Sequence, residues 1–169
     1  MKYILLFALL FSSAIAFSQK ANSFLSGIFQ VDAPEHYKPI ASARLSGGVN
    51  LKNLALIGIG VGITKFKEFK KVYVPVFGTI TVADFAKRVS PLVVLEPGYG
   101  IYSEKVRVGT RTVTREGGFT FFGGGGVAIA ATSKANLSFS VGYAHYSFNT
   151  GGVNSSVRGP GFRFTVTAL

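Results

Sequence analysis

The sequence predicts an all-β fold: an eight-stranded antiparallel up-and-down transmembrane β-barrel whose lumen is closed and filled by side chains. Three observations lead there. Apolar residues alternate with small or polar ones at period two, which sends them to opposite sides of a sheet. The connections between such stretches alternate between long and short, as in outer-membrane barrels. The 21 glycines recur inside these stretches, where a tightly curved wall uses them to make room for large neighbours.

The first element is an export signal. Lys2 supplies the positive start, Tyr3 to Phe11 the apolar run, and Ser12 to Ala16 small residues at an A-x-A spacing. Cleavage is expected after Ala16 or after Ser18, so residues 1–18 are assigned to the signal and 19–169 to the barrel domain. The apolar run is shorter than the roughly 20 residues of a spanning helix. No Cys occurs in the chain, which excludes disulfides, thiolate metal sites, cysteine nucleophiles and lipoprotein anchoring.

Eight strands follow, over 23–31, 40–51, 54–66, 72–83, 89–103, 117–132, 136–148 and 157–169. Several are long enough for a tilted crossing of roughly 9–11 residues. In 41–51, Ala41, Ala43, Leu45, Val49 and Leu51 oppose Ser42, Arg44, Ser46 and Asn50. In 89–103, Val93, Leu95, Tyr99 and Ile101 oppose Glu96, Gly98 and Gly100. In 162–169, Phe162, Phe164 and Val166 oppose Arg163, Thr165 and Thr167. The apolar set belongs outside and the small, polar set inside, the inverse of a soluble ligand-binding barrel. Lys52-Asn53 and Ser133-Lys134-Ala135 suit tight turns at one end. Residues 104–116 form the longest connection at the other end. Their alternation around Gly109-Thr110 predicts a protruding hairpin.

Charge on the inner faces makes a specific expectation. An ionised Glu96 facing lipid would cost several kcal/mol, so it should turn inward and meet Arg44 or Arg163. The alternative is that each charge sits alone at a wet barrel mouth.

Leu54–Ile63, Val74-Pro75-Val76-Phe77, Ser90-Pro91-Leu92 and Gly98-Tyr99-Gly100 resemble the outer-membrane β-barrel domain family of Bacteroidota, which includes small barrels of the OmpX and OmpA kind. Gly117-Gly118-Phe119, Ala135–Tyr143 and Gly161–Phe164 continue the resemblance over nearly the whole mature chain. It implies an outer-membrane location, contact with membrane lipid and lipopolysaccharide, and recognition by the outer-membrane assembly machinery. Such barrels often end in an aromatic residue, whereas this chain ends in Leu169.

One pair points to chemistry. His145 and Ser147 stand two apart on one face, similar to the His-x-Ser pair of the lipid A 3-O-deacylase barrels. That resemblance implies His145 as general base and Ser147 as nucleophile on an acyl ester. No Asp or Glu follows Glu116, so the orienting acid of that family has no counterpart. The competing assignment is an interfacial Tyr143–His145–Tyr146 aromatic girdle. Asp32, Glu35 and His36 lie within five residues, yet no fourth ligand or recognisable spacing makes a metal site of them. No cofactor is expected.

Basic residues outnumber acidic ones by 18 to 7. Lys67, Lys70 and Lys71 crowd the second outer loop, and Lys105, Arg107, Arg111 and Arg115 the third. With an export signal in front, these suit phosphates and acidic sugars of lipopolysaccharide or an unknown surface partner, and not nucleic acid. The expectation is a structural or surface-interacting outer-membrane barrel without enzymatic activity. A lipid A deacylase-like esterase and a soluble periplasmic ligand-binding barrel are the alternatives.

Overall fold

The computed structural model describes residues 23–35, 38–67, 72–108 and 111–169. The proposed signal lies outside them. Nine strands run in order: β1 (Ser23–Asp32), β2 (Ile40–Leu51), β3 (Ala55–Lys65), β4 (Val74–Ala83), β5 (Val89–Ile101), β6 (Ser103–Val108), β7 (Arg111–Thr132), β8 (Ala135–Thr150) and β9 (Val153–Ala168). Apart from β5 and β6, neighbours in sequence pair antiparallel; β1 pairs β9, and β5 pairs β7. The ring therefore closes on eight staves, with β6 continuing the line of β5. No helix occurs among the described residues.

Alternation builds the wall. Ser26, Gln30, Ser42, Arg44, Ser46, Glu96, Ser140, Arg163 and Thr167 are buried inside. Ile59 (76% exposed), Ile101 (61%) and Tyr99 (59%) stand outside with Val93, Val141 and Phe162. Such an outer face is unsuited to water and matches the apolar band of a membrane barrel. The inverted polarity that a soluble ligand-binding barrel would need is absent from the described residues.

Inward glycines accommodate the largest lumen groups. A Cβ on Gly60 would stand 2.6 Å from both Leu45 O and Phe77 Cε2, and one on Gly100 would enter the Tyr73 ring. Lys52 and Asn53, both with positive φ near 55° (52° and 59°), make the tight β2–β3 turn that the polar pair predicts.

Two boundaries differ from the sequence expectation. The fourth outer connection, expected over 149–156, is two residues long. Gly151 and Gly152 adopt φ of 59° and 89°, and Asn149 pairs Asn154 across them. Polar residues on both faces of this stretch had hidden the strand signal, while the glycine pair permits the turn. Phe66 leaves β3, and Tyr73 joins only by a bridge to Thr64, so the β3–β4 connection is longer than expected. The hairpin over 104–116 forms, with Val106 opposite Val113. β6, upper β7, upper β8 and upper β9 thus make a four-stranded sheet that rises above the shorter β1–β4 side.

Candidate functional site

The centre of the lumen is a network of charged and polar side chains from six strands. Parity along β2, β5 and β9 turns Arg44, Glu96 and Arg163 inward, and the structure brings the three together. Arg163 grips Glu96 with two bonds, Nη1 to Oε1 at 2.7 Å and Nη2 to Oε2 at 2.8 Å, the strong fork-to-carboxylate geometry. Arg44 Nη1 donates to Oε2 at 3.3 Å, and Thr79 donates to Oε1 at 3.3 Å.

The second half of the network was not legible as such. Tyr146 donates to Asp32 Oδ2 at 2.6 Å and accepts from Arg44 Nη2 at 2.9 Å. Gln30 donates to Asp32 Oδ1 at 2.6 Å and accepts from Arg163 Nη2 at 2.7 Å. Two arginines thus face two carboxylates, and the buried charges balance. Arg163 also stacks 3.8 Å over Phe122, and Arg44 lies 5.5 Å from the Phe77 ring centre, contacts that favour a desolvated cation.

Both ends of this network are covered. Above it, Phe66, Tyr73, Tyr146 and Phe148 pack edge to face with ring centres 5.3–5.7 Å apart, the favoured aromatic arrangement. Below it lies a hydroxyl-lined cavity of about 20 Å³ bounded by Phe24, Leu56, Phe85 and Leu92. That space holds about one water, so the described side chains fill the lumen on both sides of the network.

The girdle assignment needs one correction. Tyr146 is 1% exposed and belongs to the lumen, because it differs in parity from Tyr143 and His145. Those two do face outward.

His145 and Ser147 share that outward face, each beside a neighbour other than an acid. Ser147 Oγ donates to Phe119 O at 2.9 Å, and the cross-strand partner of His145 is Arg158, a cation where a base needs an orienting carboxylate. Glu116 stands opposite Asn149, four residues along the strand from His145 and so about 13 Å away. Ser147→Ala is expected to leave lipopolysaccharide acylation unchanged when expressed in cells, read by mass spectrometry of lipid A. A gain of acyl chains relative to the parent would instead reinstate the nucleophile.

Asp32 is committed to Tyr146 and Gln30 rather than to the first loop, and His36 lies outside the described residues. No group of three or more metal-ligating side chains occurs among those described. Lys67, Lys105 and Arg107 are exposed, whereas Arg115 bonds Thr150 Oγ1 through Nε at 3.4 Å. Lys70, Lys71 and the Arg111 side chain lie outside the described residues.

No protein-family model matches the chain, and no curated protein matches it in sequence. Among solved structures it is similar to the crystal structure of neisserial surface protein A, with a TM-score of 0.55 and 15% identity over 86% of this chain and 94% of that one. It also matches the N-terminal β-barrel domain of Pseudomonas aeruginosa OprF, with a TM-score of 0.46 and 9% identity over 87% of this chain and 98% of that one. The likeness to the neisserial protein is one of fold, that of a small closed β-barrel.

Proposed function

We propose that the chain is a non-conducting, non-enzymatic barrel of the bacterial outer membrane that carries a four-stranded sheet into the surroundings as an interaction surface. The observation that supports this most is the combination of a filled lumen with that protruding sheet. A filled lumen leaves no route for solutes, so the useful surface is the outer one. The resemblance to the Bacteroidota barrel family agrees with the apolar outer wall, and both support an outer-membrane location.

The sheet offers two features to a partner. Among the described residues β6 pairs with β7 alone, so its other edge is a candidate for an added strand. Its outward side carries Lys105 and Arg107 opposite Thr114 and Thr112, a basic, hydroxyl-bearing face suited to phosphates and acidic sugars. Exposed charges contribute little one at a time, so their effect should be collective and should weaken with salt.

The test uses the absence of cysteine. Arg107→Cys introduces the single thiol of the chain, and a membrane-impermeant maleimide applied to whole cells should label it. Charge reversal of Lys67, Lys70, Lys71, Lys105 and Arg107 together should reduce co-purifying lipopolysaccharide at least several-fold. No labelling of intact cells would contradict surface display, and unchanged lipopolysaccharide would contradict the contact.

A further inference from the structure

We infer that the outer wall between β7 and β3 holds one acyl chain of a phosphate-bearing membrane lipid, with the phosphate at Lys65 and Lys67. A groove of about 490 Å³ crosses this wall, flanked by Phe29, Val31, Phe139, Val141, Phe162 and Phe164. Its volume lies within the usual range of ligand sites. A smaller depression of about 290 Å³ lies beside Leu45, Val61 and Ile63, and Ile57 and Ile59 project from the wall. In the larger groove Gly125 and Ala41 leave space in the row between large neighbours.

The register gives the groove a direction. Gly125 pairs Val141, Val141 pairs Phe162, Phe162 pairs Val31, Val31 pairs Ala41, and Ala41 pairs Lys65. Five steps between neighbouring strands span about 24 Å. With strands tilted about 40°, that row climbs about 15 Å, half the thickness of a hydrocarbon core of about 30 Å. Gly125 lies partway down β7, whereas Lys65 is the last residue of β3. The groove therefore climbs from mid-bilayer to Ala41, and Lys65 stands one strand further along the same row, at the rim, the path of a chain in one leaflet.

Charge at the rim selects the headgroup. Phe66 is fully buried in the aromatic lid, so Lys65 and Lys67 on either side of it are both exposed at the lip. Segment 65–71 carries four lysines against one acid, Glu68. A phosphate at the upper end of the groove would meet the Lys65 and Lys67 ammonium groups, where the apolar surroundings strengthen the attraction.

This inference rests on the membrane reading of the outer wall, and its test separates the two. Full-length protein in detergent is incubated with dioleoyl phosphatidic acid, or with dioleoylglycerol, which has the same chains and no phosphate. Bound lipid is counted by native mass spectrometry. One phosphatidic acid per barrel is expected, bound at least tenfold more tightly than dioleoylglycerol. Gly125→Leu should weaken it at least tenfold by filling the groove. The nearest atom to a Cβ there is Leu92 O at 3.6 Å, so the barrel should still form, which heat-dependent gel migration checks. The paired change Lys65→Gln and Lys67→Gln should remove the preference for phosphate, while Ile59→Leu, outside the groove, should change nothing. Equal binding of both lipids, or binding unaffected by Gly125→Leu, would overturn the inference. So would a dimer that Gly125→Leu dissociates, since a second copy would then be the occupant. Either result with the parent still integral to the envelope would leave the membrane reading standing.

Discussion

Replacing Glu96 with Ala is expected to lower the unfolding free energy of the barrel in detergent by about 3–5 kcal/mol, the usual cost of removing one partner of a buried ion pair. Glu96 accepts from Arg163 twice and from Arg44 once. Its loss leaves two guanidinium groups at the barrel centre with only Asp32 to offset them. Glu96→Gln retains volume and part of the hydrogen bonding, so its effect should be smaller. The converse substitution, Arg163→Met, removes a cation but leaves Arg44 to compensate Glu96, and should fall between the two. Urea titration in detergent, followed by the far-ultraviolet β signal, measures all three. A change of less than about 0.5 kcal/mol for Glu96→Ala would show that water enters and solvates the arginines, the separated-charge alternative.

Tyr146→Ala should be comparably severe, about 3–5 kcal/mol for a large aromatic group in a packed interior. The ring contacts both Phe66 and Tyr73, and the hydroxyl joins Arg44 to Asp32. Tyr146→Phe isolates the second contribution and should cost about 1–3 kcal/mol, because Asp32 loses a donor in a buried place. Combining Tyr146→Phe with Asp32→Asn should then cost less than the two changes summed, since both break one bond. Full additivity would separate the tyrosine from the carboxylate in energy.

The wall was largely legible in the sequence because its two faces meet different surroundings. Where one face is apolar and the other small or polar, period two reveals both the strand and its side. That sufficed to orient Glu96, Arg44 and Arg163. Their meeting was not readable from one strand alone, since register across β2, β5 and β9 depends on barrel closure. Tyr146 was harder. Its neighbours Tyr143 and His145 made an aromatic cluster look interfacial, and only strict parity places it inside. Phe66 and Tyr73 stood at the ends of the expected strands 54–66 and 72–83, on the lumen side by parity, but alternation along one strand does not show which rings meet across the lumen.

The protruding sheet failed to show where both its faces are polar. Asn149, Asn154, Ser155 and Ser156 carry no alternation, and the pairing there rests on the Gly151-Gly152 turn. The β6–β7 hairpin kept enough alternation, through Val106 and Val113, to be anticipated. For the His145/Ser147 pair, sequence spacing put both on one face but could not show what stood beside them. The structure supplies Arg158 and a backbone carbonyl instead of an acid.

Alkaline carbonate extraction of cell envelopes reports whether the apolar outer wall of the barrel faces lipid. The full-length protein should remain in the sedimented outer-membrane fraction after the wash, as an integral barrel must. Release into the supernatant, or recovery with the soluble periplasmic contents, would contradict the account.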